Sequence, residues 1–182
     1  MWEYVGYGQE EKLEVCIQTG GRPAAELRGG HGVCRLFLLL EGKADFDTGT
    51  QYMPLERGSL VLLCPEELHR LHTYGESQEW VRVSFPVPYL EWLSSAQTNL
   101  CECFSKPERA VERMTLLSEQ QIRDVVFLAE RLAEGQKDTE FGSDLMTGCY
   151  ATQLSVVAVR MMRDNRQCPE NTMPVRVQQT LK

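Results

Sequence analysis

The stretch Gly58-Ser-Leu-Val-Leu-Leu-Cys64-Pro65-Glu-Glu-Leu-His69-Arg70 decides how this chain is read. A turn glycine opens a short apolar strand, a rigid proline closes it, and a histidine follows at a fixed distance. Upstream, His31-Gly-Val-Cys-Arg35-Leu-Phe37-Leu-Leu-Leu-Glu41-Gly42 gives a second apolar strand, expected to end in an acidic-Gly turn. Further short apolar or alternating runs flank these two, at Val15–Ile17, Ala44–Phe46, Gln51–Met53 and Trp80–Phe85. Gly20-Gly21, Gly29-Gly30, Asp47-Thr-Gly49 and Arg57-Gly58 separate them. Short strands at regular spacing between such turns predict a sandwich or barrel. Pro86 and Pro88 end the series, because two prolines one residue apart cannot sit inside a sheet.

Beyond Pro88 the hydrophobic period changes from two to about 3.6. Ser118 and Gln121 have the spacing of a capping box, and Ile122, Val125, Val126, Leu128, Ala129 and Leu132 follow as an apolar stripe that Gly135 closes. A second helix is expected from about Ser143 to Arg163. Its apolar residues occupy more of the circumference than one buried face uses. Leu145, Cys149, Val156 and Val159 lie on one side, and Met146, Tyr150, Leu154, Val157 and Met161 on the other. A solvent-exposed stripe of that size is an aggregation hazard, so a homodimer is expected, with Tyr150, Leu154, Val157 and Met161 assigned to its interface. Residues 164–173 are polar and read as a linker. Pro174-Val-Arg-Val-Gln-Gln-Thr-Leu-Lys182 then reads as the first turns of a new helix.

Composition removes several classes of function. A net charge of −7 argues against a nucleic-acid-binding surface within this chain, because binding the phosphate backbone needs clustered Lys and Arg. No apolar run approaches the ~20 residues of a membrane span, and the N-terminus has no charged-then-apolar leader. Seven scattered cysteines fit free thiols in a reducing cytoplasm.

The glycine-to-histidine stretch and the upstream "LLLEGKADF" together resemble the two signature motifs of a cupin, a small β-barrel with an internal pocket. Enzymatic cupins usually hold a metal with a His-x-His pair, a Glu and a later His. Here those positions are Gly29, His31, Arg35 and His69. A guanidinium cannot be a metal ligand, and two imidazoles are a thin set when three or four protein ligands are usual. No metal, cofactor or catalytic residue is therefore expected. The resemblance places His31 and Arg35 facing inward, and strand parity then adds Val33, Phe37 and Leu39 to that face. Trp80 and Arg82 share one face of the late strand, and parity alone leaves open whether it is pocket or solvent. An aromatic ring beside guanidinium donors suits a sugar or a carboxylate. His31, Arg35, Phe37, His69, Trp80 and Arg82 are the candidate ligand contacts. Against this stands an inward Arg35 paired only with a barrel carboxylate such as Glu41, Asp45 or Glu79.

The order of parts resembles the N-terminal sensor domain of AraC/XylS-family transcription regulators. The motifs carrying the likeness are Leu38–Gly42, Gly58–Arg70, "RMTLLSEQQ" at 113–121 and Met173–Lys182. The likeness implies an α+β chain, a cupin-like double-stranded β-helix (a jelly-roll barrel) followed by two amphipathic helices. It implies three parts: a barrel sensor over 1–92, a helical dimerisation region over 93–165, and, over 166–182, a linker and the start of a C-terminal DNA-binding domain missing from this chain. It further implies a small-molecule effector, a sugar or other metabolite, and contact with DNA only through that missing domain. Two alternatives stay open, a metal-dependent cupin isomerase or dioxygenase and a carbohydrate-binding barrel with no regulatory role.

Overall fold

The computed structural model describes residues 13–19, 32–47, 52–65, 70–104 and 114–166. Among the described residues, six strands form one antiparallel sheet: β1 (Glu14–Thr19), β2 (Val33–Asp47), β3 (Tyr52–Leu55), β4 (Ser59–Leu63), β5 (Arg70–Pro86) and β6 (Met114–Leu116). Their order is β1-β5-β2-β4-β6, with β3 paired to the far half of β2. The same residues give three α-helices beside the sheet, α1 (Val87–Leu93), α2 (Glu119–Gly135) and α3 (Ser143–Arg166), together with a 3-10 turn at Leu100–Phe104. The chain is thus α+β.

Strand parity sorts the core into two layers. Leu36, Leu38, Leu60, Leu62, Val81, Val83 and Phe85 point to one face and pack with Ile122, Val125, Leu128, Leu132, Leu154 and Met162 of α2 and α3. Phe37, Leu39, Val61, Leu63 and Trp80 point to the other face. There they cluster with Ala44, Phe46, Met53, Leu55 and Leu71 from the far ends of the long strands and the β3 hairpin. On β2 the second layer is odd-numbered before residue 40 and even-numbered after it. That switch needs an irregular residue, and the register shifts on both sides of Glu41 supply it.

The acidic-Gly turn expected at Glu41-Gly42 is therefore a correction: it is a bulge inside one continuous strand. Gly42 has φ +96°, and a Cβ there would lie 3.0 Å from Gln78 Cγ and 3.2 Å from the Ser77 carbonyl. Gln78, fully buried, closes the irregular stretch by donating from Nε2 to the carbonyls of Lys43 (3.0 Å) and Tyr74 (3.1 Å). The late strand also begins ten residues before Trp80, and α1 begins where the prolines end it, with Pro88 tolerated in the first turn. β6, unexpected from sequence, lies downstream of α1 and pairs with β4, so the region after residue 92 contributes a strand to the sheet.

The expected helix start at Ser118 is present. Ser118 Oγ accepts from the Gln121 amide (3.3 Å), and the Gln121 side chain accepts from the Ser118 amide (2.9 Å). Gly58 joins this corner to the sheet. Its N–H donates to the Leu39 carbonyl and its carbonyl accepts from the Leu117 N–H, at 2.8 and 2.9 Å. Arg57 then reaches α2 through a two-pronged ion pair to Glu119, 2.9 Å on each arm. The guanidinium beside Glu119 holds that carboxyl below the usual glutamate range.

Candidate functional site

The candidate site lies on the second face of the sheet, where β1, β5 and β2 present side chains in rows. One row is Glu14, Ser84 and Arg35; the next is Cys16, Arg82 and Phe37; the third holds Trp80 and Leu39. Phe37 and Trp80 are buried, with ring centroids 6.3 Å apart. They end the apolar layer on this side, and polar groups take over beyond them. Arg82 donates from Nη2 to Glu14 Oε1 at 3.0 Å. Arg82 Nε and the Ser84 hydroxyl are both buried, and among the described residues neither has a hydrogen-bond partner.

Such groups are costly to bury and are usually satisfied by protein, water or a bound molecule. Donors from a guanidinium and a hydroxyl thus converge with an acidic acceptor beside an aromatic wall. The arrangement grips oxygen atoms at one end and packs C–H surface at the other.

Four of the candidate contacts, Arg35, Phe37, Trp80 and Arg82, share this face. His31 and His69 lie outside the described residues. Glu14, Cys16 and Ser84 join the patch without having been singled out in the sequence. Parity would have found Ser84, two residues from Arg82, but β1 could be placed beside β5 only from the pairing itself. No group of three or more His, Cys, Asp or Glu side chains that could hold a metal occurs among the described residues. No described helix is long and apolar enough to cross a membrane.

A second polar cluster lies on the other side of the hairpin beyond the bulge. Tyr74 donates its hydroxyl to Asp45, and the Tyr52 hydroxyl bonds to Asp47; each carboxylate pushes its phenol above the usual tyrosine range. His72 stacks on Tyr52 and has Nε2 3.8 Å from Asp47. These groups satisfy one another and form a closed surface network rather than an open site.

The assigned dimer residues need correction. Leu154 is fully buried and Met161 nearly so, both inside this chain's own core with Ala151, Ala158 and Met162. Tyr150 and Val157 are half-buried at its edge. The sheet and α2 use that side of α3, so Leu154 and Met161 have no surface to offer a partner. The side left exposed is the one carrying Leu145 and Cys149.

No family model and no curated protein sequence matches the chain. Among solved structures, the AraC-like transcriptional activator CuxR is similar over 82% of this chain and 46% of its own, at 8% identity and TM-score 0.48. Unsaturated fatty acid-bound ToxT from Vibrio cholerae is similar over 85% of this chain and 55% of its own, at 11% identity and TM-score 0.47. YhaK from Escherichia coli matches 40% of this chain and 35% of its own, at 16% identity and TM-score 0.33. The chain thus spans about half, or less, of the length of each of these proteins. At these identities and scores the likenesses carry no functional weight.

Proposed function

We propose that this chain is the effector-sensing part of a transcription regulator, and that its sheet closes as a metal-free, cupin-like jelly-roll barrel around a small polar molecule. The observation that carries the reading is the polar end of the second sheet face. Arg35, Arg82 and Ser84 stand there against the Phe37–Trp80 wall, with buried donor capacity at Arg82 Nε and Ser84 Oγ that no described residue uses. The chemistry favours a ligand bearing a carboxylate or several hydroxyls on a compact carbon frame, a sugar acid before a neutral sugar. Glu14 is paired with Arg82, so a ligand carboxylate would compete for that guanidinium and loosen β1, the sheet's edge strand. A loosened edge is a physical route from an occupied pocket to a changed chain, provided the ligand binds the two arrangements with different affinity. The protein acts as a non-enzymatic, cytoplasmic sensor, and DNA contact belongs to a part of the regulator outside this chain. The resemblance of the motif order to AraC/XylS-family sensors supports the regulatory half of this reading.

The test is a thermal-shift screen of sugars, sugar acids and amino acids. A hit should raise the wild-type melting temperature and lose that effect in Arg35→Ala and Trp80→Ala. A hit that stabilises both variants as it does the wild type would show that the site lies elsewhere.

A further inference from the structure

Cys16 belongs to the polar patch, yet the ligand contacts assigned above leave it unused. It is a free, half-buried thiol on β1, on the same side of the sheet as Glu14 and directly across from Arg82 of β5. Side chains opposed in this way have Cβ atoms about 5 Å apart. Arg82 reaches one row along, to Glu14 at 3.0 Å, which puts its guanidinium between the row of Cys16 and the row of Ser84. A second observation stands beside the thiol. Ser84 is 4% exposed, and its hydroxyl and Arg82 Nε are both buried with no partner among the described residues. Both can donate to an oxygen, but the neighbour that the register supplies is a sulfur, a weak acceptor. One oxygen atom added to that sulfur would give the two donors a strong acceptor without any bound molecule.

We propose that Cys16 is a peroxide-sensing thiol, oxidised to a sulfenate whose oxygen accepts from Arg82 Nε and Ser84 Oγ. The Cys16 thiolate attacks the terminal oxygen of a hydroperoxide. The S–O bond forms as the O–O bond breaks, the sulfur is oxidised by two electrons, and the leaving hydroxide or alkoxide is the reduced product. That leaving group takes the proton of the new S–OH, so a sulfenate and water or an alcohol remain. Negative charge passes from sulfur to the departing oxygen beside the same two donors, and donors already in place for such a charge lower the barrier. A thiol reverses the change through a mixed disulfide. The sulfenate oxygen takes up donors assigned to the ligand, so on the reading proposed above the oxidised site refuses its effector. The oxidation itself does not depend on that reading.

The fold supplies a comparison thiol. Cys149 is exposed on α3, in a groove lined by Trp92, Leu93, Leu145 and Val156, with no Lys or Arg among its described lining. Access alone favours Cys149, whereas hydrogen-bond donors favour Cys16. The test treats the reduced full chain with hydrogen peroxide in the presence of a cyclic diketone that traps sulfenic acids, and follows the Cys16 and Cys149 peptides by mass spectrometry. Cys16 should be trapped roughly 10-fold faster than Cys149 or more. Ser84→Ala and Arg82→Lys should each slow Cys16 by about 10-fold and leave Cys149 unchanged. Iodoacetamide, which transfers no oxygen, should alkylate Cys16 in Ser84→Ala at the wild-type rate. Cys16 trapped no faster than Cys149 in the wild type would overturn the proposal whatever the variants do. So would an unchanged Cys16 rate in either variant, or an alkylation rate that falls along with the trapping rate, since the substitution would then only have closed access to the thiol.

Discussion

Replacing Gly58 by alanine tests whether the corner between sheet and α2 is built as described. Gly58 has φ +87°, and an added Cβ would stand 2.9 Å from the Leu117 carbonyl oxygen and 3.2 Å from Ile122 Cδ1. A left-handed backbone costs an alanine about 1–2 kcal/mol. Stiffening the unfolded chain returns about 0.4–1 kcal/mol of that. The contact with Leu117 adds to the cost. It is backbone, held by its own N–H to the Gly58 carbonyl, so it cannot swing aside as a side-chain end would. Forcing an atom into such a place costs about 1–3 kcal/mol, so the net loss should be about 2–4 kcal/mol. Gly142 is the internal control. It has φ +81° with nothing within 4 Å of the added atom, so Gly142→Ala carries the backbone cost alone, about 0.5–1 kcal/mol. Urea unfolding of both variants beside the wild type measures the difference between them. If Gly58→Ala costs no more than Gly142→Ala, the close approach of β4's turn to α2 is not there and the reasoning fails.

Three further outcomes follow from the packing. Leu154→Ala should cost about 2–5 kcal/mol in the same unfolding assay, as a filled core position does, and a loss below about 1 kcal/mol would return Leu154 to the surface. Ser118→Ala should cost about 1 kcal/mol by removing one half of the capping box, with an unchanged melting curve counting against it. Arg57 lowers the Glu119 pKa on folding, so the pair's contribution is complete above the unfolded glutamate's pKa and disappears as pH falls through the depressed folded value. The melting-temperature gap between wild type and Glu119→Gln should accordingly be open at neutral pH and close in acid, and a gap that widens in acid would reverse the assigned sign.

Much of the fold could be read from local signals. The cap at Ser118, the stripe from Ile122 to Leu132 and the apolar strands around Arg35 and Leu62 each carry their period within one element. What escaped reading depends on partners distant in sequence. Glu41-Gly42 has the composition of a turn, and only its pairing with β5 makes it a bulge. Residues 70–74 are mostly polar although they pair with the far end of β2, because one face there meets solvent. Met114–Leu116 is too short to show a period. On α3 both flanks are apolar, so the sequence gives no sign which one the sheet takes, and it takes the side with Leu154. The site was legible to the extent that parity governs it. Arg35 with Phe37, and Trp80 with Arg82, follow from alternation, whereas their meeting on one face, and the arrival of Glu14 from β1, follow from strand order.

The central claim is that a small polar molecule sits against Trp80 with its oxygens toward Arg35, Arg82 and Ser84. The most direct measurement is the indole N–H resonance of Trp80, assigned through Trp80→Phe, followed while sugar acids and related carboxylates are titrated in. The proposed function predicts that a binding compound moves the Trp80 signal and leaves that of Trp92, on α1, in place, and that in Arg35→Ala it moves neither signal. A compound that binds while Trp80 stays still and Trp92 moves would contradict it.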